Sequence, residues 1–176
     1  FLTDVFISDE YVIGEVNKGW VYICEALNYE RFTFYTIAPL EQKFKELVEL
    51  TNKVKRDGVI LSQIPDIRKK IIYLYADVQK AKVLQRKVLS VAIQDEVPQT
   101  EAAVFKLFST KLHQKLANEA MDILGREGLF RKEYDKSHAN GKWEWSYRST
   151  LVDTIGAGTT EIQKNTIAKK SLKLPL

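Results

Sequence analysis

Apolar residues recur through the middle of this chain at alternating steps of three and four. They fall at Ile64, Ile67, Ile71, Leu74, Val78, Ala81, Leu84, Val88 and Val91. That spacing predicts a long amphipathic helix suited to antiparallel bundle packing. Pro65 fits its first turn, where the backbone N–H has no helical partner in any case. A second stripe follows Pro98: Ala103, Leu107, Leu112, Leu116, Ala120 and Ile123, with Gly125 as the stop. Upstream, Trp20, Cys24 and Leu27 lead on to Phe34, Ile37, Phe44, Leu47 and Val48. This run reads as one helix, capped by Asn17, kinked at Pro39 and stopped at residues 56–58, Arg-Asp-Gly. Residues 125–149 read as a polar, aromatic loop, with Trp143 and Trp145 as loop anchors or interface residues. A shorter helix is expected from about Thr160 to about Ser171. Thr159 or Thr160 caps it, and Glu161 in its first turn favours the helix dipole.

The opening, FLTDVFISDEYVIGE, has a different rhythm. Val5, Ile7 and Val12 suit one strand followed by an extended arm. A lone strand cannot hold itself together. With Phe1 rather than Met at the start, the chain is expected to be part of a longer protein that carries the rest of that sheet. The predicted fold is all-α. It is an up-down four-helix bundle (residues 16–176), with a short N-terminal strand or extended arm (residues 1–15) left over from a β-domain.

Composition narrows the function classes. Of the 176 residues, 45% are hydrophobic and 28% charged, which excludes a disordered chain, and no apolar run is long enough to span a bilayer. The single cysteine, Cys24, excludes an internal disulfide and a cysteine-based metal site, and fits a cytoplasmic placement. The net charge of +4 comes from lysines interleaved with apolar helical positions. That is the pattern of solvated helix faces rather than of a nucleic-acid patch. His113 and His138 have no second ligand at metal spacing.

Four segments carry a resemblance. The tail GAGTTEIQKNTIAKKSLKLPL, from Gly156 to Leu176, resembles the C-terminal signature of acyl-CoA dehydrogenases. VFISDEYVIGEVNKGW is similar to that family's exit from its β-domain. LNYER, from Leu27 to Arg31, matches the first C-terminal helix, and MDILGREGLF, from Met121 to Phe130, the end of the third. The order and spacing of all four agree over nearly the whole chain.

The resemblance implies an FAD-dependent enzyme that converts an acyl-CoA to its trans-2-enoyl-CoA. It also implies a homo-oligomer, dimer or tetramer, and an acceptor such as an electron-transfer flavoprotein. Neither nucleic acid nor a membrane span is implied. The base in many such enzymes is a glutamate just before the glycine of the tail motif. Here that position is Ala157. A minority arrangement puts the glutamate on the first helix, directly before an arginine, and Glu30–Arg31 stand there. The residues alone favour a surface Glu–Arg pair on a charged helix; the resemblance makes Glu30 the catalytic base. It further implies substrate contacts at Asn28, Arg31, Ala157 and Gly158, with the Ala157 amide on the thioester oxygen. Cofactor contacts are implied at Thr159, Glu161, Asp122, Gly125 and Arg126. Several positions depart from the family pattern: Glu161 and Asp122 replace frequent glutamines, Arg126 replaces a glycine, and KRDG at residues 55–58 lacks the threonine and phenylalanine of a flavin motif. Those departures keep open an alternative, a non-catalytic partner subunit that supports assembly.

Overall fold

The computed structural model describes residues 1–33, 36–134 and 138–175, apart from the side chains of Asn28, Arg31 and Phe32. Among these residues the fold is all-α, with six helices rather than four. They are α1 (Gly19–Thr33), α2 (Ile37–Lys53), α3 (Pro65–Ala92), α4 (Gln99–Leu124), α5 (Lys142–Asp153) and α6 (Thr160–Thr166). A two-residue hairpin, β1 (Lys55–Arg56) and β2 (Val59–Ile60), lies between α2 and α3.

The two stripes with the clearest period form the two longest helices. On α3, Ile67, Leu74, Val78, Ala81 and Val88 are buried; on α4, Ala103, Leu112, Leu116, Ala120 and Ile123 are. Helix α4 also buries Phe105, Lys106, Ser109, Thr110 and Ala117. It is covered on several sides because α1, α2, α3, α5 and α6 all pack against it. The bundle is built around α4, and both ends of the chain's helical part meet it.

Where the chain departs from its predicted elements, local physics gives the reason. The stretch from Trp20 to Val48 is not one kinked helix. Thr36 is extended (φ −71°, ψ 160°), and Pro39 is the third residue of the new helix α2. A proline in the first turn removes no helical hydrogen bond, so a break suits it better than a kink. Phe34, predicted on the stripe, lies outside the described residues. Asn17 is not the cap of α1. It sits at φ 67°, and the carbonyl of Lys18 takes the first helical amides, Val21 (2.9 Å) and Tyr22 (3.3 Å). The Arg-Asp-Gly triplet does not stop a helix. Helix α2 ends at Lys53, and Asp57 (φ 51°) with Gly58 (φ 81°) makes the turn of the hairpin. Two successive left-handed residues give a tight hairpin its matching twist, and Asp-Gly is well suited to them.

No strand forms at the N-terminus among the described residues. Residues 1–18 contain only a short 3-10 turn at Asp9–Tyr11, and Phe1, Phe6 and Ile13 are exposed. A strand requires a partner edge, and the one sheet described is the hairpin.

The predicted loop at 125–149 contains most of α5. Trp143, Glu144, Ser146 and Thr150 form its buried set. Three of these four are polar, so no apolar stripe announces the helix. Trp143 is a core residue, while Trp145 is exposed. Glu144 accepts two hydrogen bonds from Arg148, Nε at 2.7 Å and Nη2 at 3.0 Å, and Arg131 Nε lies 3.5 Å away. The Arg148 guanidinium holds the Glu144 carboxyl below the usual carboxylate range. A folded-state pKa below the unfolded one means stability present above the unfolded value and lost as pH falls through the folded one. Thermal unfolding midpoints should therefore drop in that acid window, and Glu144→Gln should flatten the drop. An acid profile identical to wild type would contradict this pairing.

Candidate functional site

Two places on the bundle gather the residues singled out above. The first is the turn between α5 and α6. The amide of Gly156 donates to the carbonyl of Val152 (2.9 Å), and that of Thr160 to Thr154 (3.1 Å). Ala157 lies between, in the left-handed region at φ 51°, and Gly158 follows at φ 87°. A residue with a Cβ pays roughly 1–3 kcal/mol for such backbone and persists there only when its surroundings hold it. The holders are side chains from two helices. Gln163 Nε2 donates to the carbonyls of Ala157 (2.9 Å) and Gly158 (3.2 Å), and Lys106 Nζ donates to Gly158 (2.7 Å). Lys106 and Gln163 are both fully buried. A Cβ at Gly158 would lie 2.6 Å from Gln163 Nε2, so a side chain there would displace the Gln163 amide from the turn and strain the backbone at φ 87°.

The carbonyls of this turn are thus tied inward. Among the described residues, the Ala157 amide donates to no protein acceptor. Thr159 caps α6 as predicted, its Oγ1 accepting from the amide of Ile162 at 3.3 Å. Glu161 is exposed; its own backbone N–H, then the Thr159 hydroxyl, hold its carboxyl below the ordinary range. Both predicted cofactor positions on α6 therefore also serve its first turn.

Glu30 lies on α1, half-buried. The Thr33 hydroxyl bonds back to the carbonyls of Tyr29 (3.0 Å) and Glu30 (3.4 Å) at the end of this helix. Helices α1 and α6 both pack on α4, so Glu30 and the Ala157 turn belong to elements that share one neighbour. No hydrogen bond joins the two among the described residues. The side chains of Asn28 and Arg31, the predicted thioester contacts, lie outside the described residues.

The second place is a cleft of about 430 Å³ between the hairpin and the C-terminal end of α4. Lys55, Arg56, Asp57, Asp122, Gly125, Arg126 and Glu127 line it. Two segments far apart in sequence meet here, and Arg56 Nη2 donates to the carbonyl of Ile123 at 2.5 Å. Asp122 is bonded to Lys70 at 3.2 Å. Lys55 and Arg126 make no ion pair among the described residues, which suits an anionic group such as a dinucleotide's diphosphate. Lys55, Arg126 and the backbone near Gly125 are the donors that such a group would meet, while Asp57 and Glu127 bring opposing charge to the same rim. The sequence had singled out Asp122, Gly125 and Arg126, and the cleft brings these three together. Lys106 and Gln163 were missed. A lone lysine in the apolar run AAVFKLFS was the available signal.

A family model described as acyl-CoA dehydrogenase, C-terminal domain, matches residues 17–172. Acyl-CoA dehydrogenase FadE26 of Mycobacterium tuberculosis is 26% identical over 179 residues, covering 99% of this chain and 45% of its own length. Acyl-CoA dehydrogenase FadE34 of the same organism is 29% identical over 177 residues, covering 99% and 22%. The crystal structure of the ChsE4-ChsE5 complex from Mycobacterium tuberculosis superposes with a TM-score of 0.80 at 26% identity, covering 93% of this chain and 42% of that one. A structure titled Tcur3481-Tcur3483 steroid ACAD gives 0.81 at 25% identity, covering 92% and 41%. The chain spans less than half the length of these relatives. On the match to its helical region, this chain belongs to the acyl-CoA dehydrogenase family, as the family's C-terminal domain.

Proposed function

We propose that this chain is the C-terminal helical domain of an FAD-dependent acyl-CoA dehydrogenase that draws its catalytic base from α1. The observation that carries this reading is the Ala157 turn. It keeps a backbone amide without a protein acceptor while its side chain is only a methyl group, so the carboxylate must come from elsewhere. Glu30, half-buried on a helix that packs on the same α4, is the candidate.

In this reading Glu30 removes the α-proton of the acyl thioester. The Ala157 amide donates to the thioester oxygen, where negative charge grows, and a donor of that kind is typically worth roughly 3–4 kcal/mol. Asn28, Arg31 and Gly158 position the thioester and pantetheine. Thr159, Glu161, Asp122, Gly125 and Arg126 are the residues that would hold FAD. The chemistry that FAD would supply when bound is that of the acceptor for the hydride leaving the substrate's β-carbon. An electron-transfer flavoprotein is the proposed acceptor, and a homo-oligomer, dimer or tetramer, the proposed assembly. No described helix is long and apolar enough to cross a membrane.

A second reading has its own support. Two similar structures are titled as pairs, the ChsE4-ChsE5 complex and the Tcur3481-Tcur3483 steroid ACAD. The acids Asp57 and Glu127 at the cleft also oppose an anionic ligand. Together they favour a subunit that completes its flavin site only with a different partner chain.

The absorption spectrum of the purified full-length protein separates the two. Bound flavin without a partner supports the first reading. A colourless protein that gains flavin only when co-expressed with a second subunit supports the other. The 176-residue chain by itself is expected to hold no flavin and to dehydrogenate no acyl-CoA.

A further inference from the structure

Lys106 is the feature that the proposed mechanism leaves unused. It sits in the N-terminal third of α4 with no exposed surface, and its ammonium reaches a carbonyl 52 residues away. A buried charge is an expensive way to fill a helix interface, and an apolar side chain of similar length would pack there at less cost to stability. Among the contacts of the ammonium is a charge-assisted hydrogen bond to the carbonyl of Gly158. Gln163 supports it from α6 by donating to the same carbonyl and to that of Ala157.

The geometry has a consequence for the amides. In a trans peptide the carbonyl and the following N–H point in opposite directions. Tying the Ala157 and Gly158 carbonyls inward therefore turns the N–H groups of Gly158 and Thr159 away from Lys106 and Gln163. The Gly156 amide is anchored on Val152, and the Ala157 carbonyl on Gln163. The Gly156–Ala157 peptide, which carries the N–H meant for the thioester oxygen, is held between these two anchors.

We propose that Lys106 and Gln163 are positioning residues, a buried clamp that fixes the Gly156–Thr159 turn so that its Ala157 amide is in place for the thioester oxygen. Neither touches substrate. The proposal rests on the dehydrogenase reading for its effect on rate, but not for the clamp itself.

The test uses the full-length protein, as wild type, Lys106→Met and Gln163→Leu, with two readouts. Hydrogen exchange reports the turn directly: in the variants, amides of residues 155–163 should exchange at least about tenfold faster, with those of α3 unchanged. Anaerobic flavin reduction by acyl-CoA reports the consequence. At saturating substrate the rate should fall about 100-fold, while the half-saturating concentration moves by less than about threefold. A merely structural lysine would lower stability without that split. Unchanged exchange in the turn overturns the clamp, and faster exchange with an unchanged reduction rate overturns its role in positioning. If the wild type is reduced by no acyl-CoA, the dehydrogenase reading fails, and the exchange data still decide the clamp. If Lys106→Met does not fold, Gln163→Leu carries the same comparison.

Discussion

Replacing Glu30 with Gln in the full-length protein is expected to lower turnover of its acyl-CoA by roughly 10²–10⁴-fold, the usual worth of a positioned general base. Gln keeps the shape of the side chain and removes its capacity to take a proton. The Ala157 turn offers no substitute, because its side chain is a methyl group and its carbonyl is tied to Gln163. The loss should appear in kcat rather than in KM, since binding of the thioester rests on other groups. Flavin content should not change. Adding Ala157→Glu to this variant returns a carboxylate to the family's commoner position. Residue 157 already carries a Cβ at φ 51°, so the longer side chain adds no new backbone strain. Partial recovery of turnover is the expected result, followed by steady-state kinetics. Glu30→Gln turnover within about threefold of wild type would remove Glu30 from the chemistry.

Replacing Trp143 with Ala should have the largest effect on stability. Trp143 is 1% exposed and belongs to the main core cluster with Leu40, Leu47, Leu74 and Leu116. Truncating a buried tryptophan to alanine typically costs 3–5 kcal/mol, from lost burial and from the cavity left behind; about that loss is expected here. Against a total domain stability of about 5–15 kcal/mol, it should shift the urea midpoint strongly. Trp145, two residues on, is 59% exposed, and its replacement by Ala should change stability by no more than about 0.5 kcal/mol. Equal effects from the two substitutions would contradict the packing of α5.

Helices α3 and α4 were legible because one apolar stripe per helix is what packing requires. The central position of α4 was not, because its other buried faces carry Lys106, Ser109, Thr110 and His113, which read as surface residues. Helix α5 was hidden for the same reason, since Ser146 and Thr150 face inward. Asp57–Gly58 was a hairpin signal taken for a helix stop, because two-residue strands are too short to show alternation. Thr159 as the α6 cap was readable from local chemistry. The bonds that shape the candidate site were not: Lys106 to Gly158 and Arg56 to Ile123 join residues 52 and 67 positions apart. Nothing in a linear pattern links such pairs.

The most direct measurement is anaerobic mixing of the full-length protein with a panel of acyl-CoA thioesters, while following the visible absorption of bound flavin. Wild type and Glu30→Gln are compared side by side. Bleaching by at least one thioester in the wild type, with none on the same timescale in Glu30→Gln, is the predicted result and places the base on α1. Bleaching at equal rates in both proteins, or no bleaching of a flavin-loaded wild type by any thioester, would contradict it.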